Sequence, residues 1–239
     1  SPNGQLAVRL CDVFPDGKSS RITYGILNLR FRKSLDSPKN ISLGKEFTVK
    51  IKLDHIAYKL PKGNKLRLSL SNAYWPLVWP VNNPAKLVVK EGYLSLPLRQ
   101  NAKSDEWVFP ESVASKPWQG KEIRKPRNKR QVLFDESTDE VFLDIEDDFG
   151  SYKDVKNKLV ISSKARERWS IHPHDPLSAK GETHWTEERS RADWSIRTET
   201  FSSMTSDKSY FYLKARVEAY EKEKLIFKKK MESKIKRVL

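Results

Sequence analysis

The stretch Arg9-Leu10-Cys11-Asp12-Val13-Phe14-Pro15-Asp16-Gly17-Lys18-Ser19-Ser20-Arg21-Ile22-Thr23-Tyr24-Gly25 decides how this chain folds. It reads as a strand, a Pro-Asp-Gly turn and a second strand, with no spare residue between them. Proline at the second turn position sets φ, and glycine closes the turn where a side chain would clash. Leu6, Val8 and Leu10 alternate on one side of the first strand.

The same period of two runs outward along the chain. Phe47, Val49, Ile51 and Leu53 share a face, as do Leu66, Leu68 and Leu70, and then Leu94, Leu96 and Leu98. Val132 and Phe134 follow, then Val141, Leu143 and Ile145, then Trp194, Ile196 and Thr198, then Phe211, Leu213, Ala215 and Val217. Between Ile22 and Phe31 the apolar parity switches near Gly25, which predicts a bulge or corner there. Helical spacing appears only at the end, where Phe227, Met231, Ile235 and Leu239 lie four apart. That segment also reads as a strand from Lys224 to Lys230, paired through Glu221-Lys222-Glu223 with Arg216 to Tyr220; the spacing leaves both readings open, and the resemblance described below favours the hairpin. Many short strands with Pro, Gly and Asn turns predict a β-sandwich.

Residues 100–130 alternate little and contain Pro110, Pro117 and Pro126. They are expected to form a long connection, with Trp107, Phe109 and Trp118 anchoring it to the sheets. The expected organisation is a β-lobe over 1–99, a basic connection over 100–130 and a second antiparallel β-lobe over 131–239.

A hydrophobic content of 37%, with seven Trp, eight Tyr and ten Phe, argues for a folded chain. The greasiest segment, Tyr74 to Val81, is broken by Pro76 and Pro80, so no membrane-spanning helix is expected. Cys11 is the single cysteine and allows no internal disulfide; cytosolic residence fits this. The start at Ser1-Pro2-Asn3-Gly4, close to the first strand, suggests a fragment.

The net charge of +15 invites a polyanion reading, but the charge is unevenly spread. A basic run (Lys116, Lys121, Arg124, Lys125, Arg127, Lys129, Arg130) precedes an acidic one (Asp135, Glu136, Asp139, Glu140, Asp144, Glu146, Asp147, Asp148), and Lys222 to Arg237 is basic again. Adjacent runs of opposite sign more often satisfy each other or solvent, so nucleic-acid binding is disfavoured.

The wording of the hairpin resembles the C-terminal β-domain of the cocaine-esterase / X-prolyl dipeptidyl-peptidase-like serine hydrolases. The resemblance continues through Gly25-Ile26-Leu27-Asn28-Leu29-Arg30-Phe31-Arg32 and resumes at Leu60-Pro61-Lys62-Gly63-Asn64-Lys65-Leu66-Arg67-Leu68-Ser69-Leu70-Ser71, ending in Trp75-Pro76 and Trp79-Pro80. Arg168-Trp169-Ser170-Ile171-His172-Pro173 and Asp175-Pro176-Leu177-Ser178-Ala179 are similar to extended members. It implies a mainly β, antiparallel, jelly-roll-type β-sandwich, galactose-binding-domain-like, with a C-terminal β extension. Domains of this kind usually carry further strands before the point where this chain starts, so an unpaired edge or an uncovered face is expected, met either by a homo-oligomer through the open sheet edge or by contact with a segment outside this sequence. It also implies a non-catalytic accessory role beside an upstream α/β-hydrolase catalytic domain of the same polypeptide, shaping its active-site rim. That partner would hydrolyse an ester or amide with a serine, a histidine and an acidic residue.

No residue of that machinery is carried over, because no Gly-x-Ser-x-Gly elbow occurs; Gly17-Lys18-Ser19-Ser20-Arg21 lacks the second glycine and lies in the turn. No cofactor is expected. His172, His174, Asp175 and His184 could in principle ligate Zn²⁺ or Mn²⁺, but Pro173 and Pro176 make the block a turn. Asp144, Glu146, Asp147 and Asp148 lack EF-hand spacing. No metal site is therefore predicted. Trp75 and Trp79 are the candidate rim or ligand contact, with a packed plug as the competing reading. If exposed together with Trp107 or Trp118, they would instead suit a free-standing carbohydrate-binding module.

Overall fold

The computed structural model describes residues 3–84, 86–100, 103 and 106–237, so Leu239 and the first two residues lie outside it. Three strands form the N-terminal sheet: β1 (Gln5–Val13), β2 (Ser19–Asn28) and β3 (Lys65–Ser71). β1 is central and antiparallel to both neighbours. The turn between β1 and β2 forms as its composition requires. Phe14 N donates to Lys18 O and Gly17 N to Phe14 O, both at 2.9 Å, and Gly17 has φ +85°. Asp16 accepts from Lys18 N at 3.0 Å and ion-pairs with its ammonium.

The bulge lies elsewhere than expected. The register of β1 on β2 shifts between Leu10 and Cys11, leaving Ile22 as the extra residue, while Gly25 stays in register with Val8. Gly25 serves close approach instead, because a Cβ there would sit 2.5 Å from Lys52 O. The chain around residues 51–54 passes that point, and Asp54 N donates to Tyr24 O while Asp54 O accepts from Thr23 Oγ1. Phe47 to Leu53 therefore runs beside β2 without joining a regular ladder, and Leu94 to Leu98 likewise forms no strand. Alternation specifies which face is apolar; it does not supply a partner edge.

Asp12 explains the acidic residue inside the apolar hairpin strand. It is fully buried, and its Oδ2 accepts from Tyr58 Oη (2.6 Å) and Asn64 Nδ2 (2.9 Å). One carboxylate thus ties the irregular 55–64 segment to the central strand. The hydrogen bond to Asp12 holds the Tyr58 hydroxyl above its ordinary pKa.

The second sheet has eight strands: β4 (Gly120–Arg124), β5 (Arg127–Asp135), β6 (Glu140–Asp154), β7 (Val160–His172), β8 (Asp175–Arg191), β9 (Trp194–Ser206), β10 (Tyr210–Glu221) and β11 (Lys224–Lys236). Its order is β11-β10-β9-β8-β7-β6-β4, with β5 also on β6. From β6 onward each strand pairs with the next in sequence, an antiparallel meander. The chain is thus mainly β, with antiparallel sheets of three and eight strands in a sandwich-like arrangement. The C-terminal hairpin forms through Lys222 at φ +53°, with Arg216 to Tyr220 opposite Lys230 to Leu225.

The connection is shorter in regular terms than its composition suggested, since β4 and the start of β5 occupy its C-terminal end. Its aromatic anchors are also corrected. Trp107 and Phe109 are 71% and 79% exposed and contact each other edge to face. The segment 106–119 forms no strand, so no backbone ladder carries these rings onto a sheet. Trp118 alone is tied down, donating to Asp154 Oδ2 at 2.5 Å beside the Tyr152 ring.

Candidate functional site

Two places on this scaffold concentrate side chains: the aromatic loop after β3 and the polar face of the large sheet. The loop begins at Tyr74, which is held by Arg21 through its hydroxyl and lies edge-on to Tyr24 at 5.9 Å. Trp75 and Trp79, the candidate contacts, are half-buried and meet edge to face at 5.2 Å. The Trp75–Pro76 bond is cis. Beyond each other, both rings face the second sheet. Trp75 meets Trp169 of β7 at 5.9 Å, and Trp79 meets Phe211 of β10 at 6.3 Å while donating from Nε1 to Ser206 Oγ at 2.9 Å. The Trp169 ring in turn lies across Gly181 of β8, where a Cβ would approach it to 2.6 Å.

Arg237 locks this junction, and nothing in the local sequence announces it. The buried guanidinium donates to Pro80 O (2.7 Å), Asp207 O (2.9 Å) and Ser206 Oγ (3.1 Å), and lies over Phe211. Burial lowers its pKa, with Asp207 opposing that shift. Asn82 adds a bond to Lys208 O at 2.9 Å. The loop therefore joins the two sheets through rings and buried hydrogen bonds.

The polar face shows where the sequence's opposite charge runs go. β6 lies between β5 and β7, and the registers set Asp148, Glu146 and Asp144 beside Arg127, Lys129 and Gln131 on one side and Lys164, Arg166 and Arg168 on the other. Arg168 grips Asp144 with two bonds, at 2.7 and 2.6 Å, and holds its carboxyl below the usual range. Asp148 pairs with Arg124 and, at 3.8 Å, with Lys164. The acidic run is a cross-strand ion-pair ladder, which explains its density without a metal.

Toward β9 and β10 the ladder continues around Glu199. Its carboxylate accepts from His184 Nε2 (2.5 Å), Thr186 Oγ1 (2.8 Å) and Arg197 (2.5 Å). Burial pushes its pKa up, but these donors outweigh burial and hold it low. His184 stacks on Phe201 at 4.1 Å, and Arg216 covers the other side of that ring at 4.0 Å. The face forms an open groove of about 650 Å³. It fixes one imidazole and presents mixed charge; among the described residues no serine, threonine or cysteine bonds the His184 ring.

His172 and His174 sit at the β7–β8 turn, their rings 5.8 Å apart, with His174 N donating to His172 Nδ1. His184 is far up β8, bound to Glu199, and so does not join them. Among the described residues no group of three or more His, Cys, Asp or Glu could hold a metal ion. None of the helices described is long and apolar enough to cross a membrane.

The hairpin, the buried Asp12 and the Trp loop all lie in the first 115 residues. Residues 1–115 match the X-Pro dipeptidyl-peptidase C-terminal non-catalytic domain. That match covers the β2-β1-β3 sheet and the aromatic loop, and it ends just before β4 begins at Gly120. By its description the matched domain is the C-terminal, non-catalytic one of X-Pro dipeptidyl-peptidase. Neither a curated protein nor a solved structure matches the chain.

Proposed function

We propose that this chain is the non-catalytic accessory part of a serine hydrolase of the esterase, acylase or X-prolyl peptidase group, buttressing an α/β-hydrolase domain of the same polypeptide. The observation that carries this reading is the family match over residues 1–115, whose residues here build a hairpin with a buried central strand tied through Asp12 to Tyr58 and Asn64. The hydrolytic serine, histidine and acid belong to the partner domain, and this part supports the rim of that site. The first lobe, residues 1–99, is the portion that meets the catalytic domain, and the lobe beyond residue 130 is an extension of it. Trp75 and Trp79 act mainly from within, setting the angle between the lobes and thereby the shape of the rim.

Fluorophosphonate labelling of the 239-residue chain beside the product of its complete reading frame tests this. Labelling of the longer product alone is expected. Labelling of the 239-residue chain itself, or of neither, overturns the reading.

A further inference from the structure

We propose that the free edge of β3 is a self-association site, where β3 of a second copy of this chain pairs antiparallel and joins two three-stranded sheets into one of six. Among the described residues β3 is bonded on one side alone, to β1, and none of residues 65–71 makes a backbone–backbone hydrogen bond outside that ladder. The ladder sets Leu66, Leu68 and Leu70 beside Asp12, Leu10 and Val8, so the three leucines extend the inner row of the central strand. The chain over 51–58 covers that row on β1 and β2. Ile51 and Leu53 stand against Gly25, which is opposite Val8, and Tyr58 reaches Asp12. The cover stops at β3. Val8 and Leu10 are 7% and 5% exposed, against 43%, 41% and 44% for Leu66, Leu68 and Leu70.

The sequence of the strand selects a second copy as the occupant of this edge. About a twofold axis at Leu68, Lys65-Leu66-Arg67-Leu68-Ser69-Leu70-Ser71 sets Leu68 opposite its own equivalent and Leu66 opposite Leu70 of the second copy. The same axis sets Lys65 opposite Ser71 and Arg67 opposite Ser69. Three leucine rungs form on one face, and no two cations stand directly opposite on the other. Moving the axis to Arg67 would oppose two guanidinium groups, and moving it to Ser69 would lose a leucine rung. Self-pairing therefore has one preferred register.

Other sheet edges are guarded against such pairing. β11 presents Lys228, Lys229, Lys230, Lys234 and Lys236 at one edge of the large sheet, and β5 presents Arg127, Lys129 and Arg130 at the other. The outer side of β2 is met by the segment around Asp54, whose backbone N donates to Tyr24 O. β3 has only Lys65 and Arg67, both in its first half. Strand addition along so short an edge gives a weak dimer, half-associated at about 10–100 µM. This pairing is independent of whether the chain serves a hydrolase.

Sedimentation equilibrium on the 239-residue chain, from about 1 to about 200 µM, is expected to show a rise from 27.8 kDa toward twice that mass. Leu68→Lys puts an ammonium opposite its own equivalent and is expected to weaken association at least about tenfold. Leu98→Lys, at a 90% exposed residue outside β3, is expected to leave it intact. Far-UV circular dichroism establishes that each variant is folded. Cross-linking reads the register without depending on those variants. Directly opposed residues of antiparallel strands have Cα atoms about 4.5–5.5 Å apart, within reach of a disulfide. In a Cys11→Ala background with oxidised glutathione as oxidant, Leu68→Cys is expected to give a disulfide-linked dimer. Leu66→Cys, which faces Leu70 of the second copy, is expected to give none. The product of the complete reading frame is expected to cross-link in the same way. Four results each overturn the proposal: a monomer at every concentration, a folded Leu68→Lys chain that dimerises with unchanged affinity, equal cross-linking of the two cysteine variants, or loss of the cross-link in the longer product, where another segment would hold the edge.

Discussion

Arg237 carries the largest burden of any single side chain at the junction between the sheets. A buried cation is tolerated because its donors meet two carbonyls and a hydroxyl, and because it lies on the face of Phe211. Removing it strands Pro80 O and Asp207 O. Arg237→Met is expected to lower unfolding stability by about 1.5–3 kcal/mol, the usual scale for hydrogen bonds to a charged group. The urea midpoint reports this, and an unchanged midpoint would show that the rings alone hold the junction. Trp75 and Trp79 were legible as a candidate in the sequence because prolines flank broad rings. Their partners Trp169, Ser206, Phe211 and Arg237 were not, since they lie far along the chain and share no local pattern with the loop.

At the scale of the strand, β6 is the instructive element. Its sequence alternates Val141, Leu143 and Ile145 with Asp144, Glu146 and Asp148, so one face is apolar as far as Asp147 and the other is acidic after Phe142 before any partner is known. The basic neighbours β5 and β7 turn that acidic face into a ladder. Asp144 and Arg168 are its best-formed rung, although Arg168 is half-exposed and solvent screens the pair. Asp144→Lys or Arg168→Asp alone is expected to cost about 1 kcal/mol, and the charge-swapped double variant to recover part of it. A double-mutant cycle measures this; strictly additive losses would mean that the pair is not coupled. The Phe47–Leu53 stretch shows the converse case. It alternates as cleanly, yet it meets β2 only around Asp54 and so never becomes a regular strand.

For the molecule as a whole, the carboxylates of the polar face link stability to acid. Asp144, Glu199 and Glu218 are all held below their ordinary pKa values in the folded state. Their contribution is therefore fully present above the unfolded values, 3.8 for aspartate and 4.5 for glutamate, and is lost as pH falls through the lower folded values. The urea midpoint is expected to stay level from neutrality down to about pH 5 and then to drop steeply, the acidic limb being governed by native carboxylate pairs. Glu199→Gln should flatten part of that drop. A midpoint that rises on acidification would contradict the ladder as a stabilising feature.

Local chemistry alone was enough for the β class, the hairpin and its turn, whereas the C-terminal segment read locally as either a helix face or a strand and the resemblance favoured the strand pair. The first three depend on neighbours a few residues apart, through φ preferences and a period of two. The resemblance to a hydrolase accessory domain was also legible there, because the hairpin wording and the Trp-Pro loop are contiguous. Which strands pair, where the bulge falls, how the charge runs cancel and what the Trp loop rests on were decided only by the tertiary structure. Those outcomes depend on register and on contacts between residues far apart in the chain, and a one-residue slip would have exchanged the two faces of every strand.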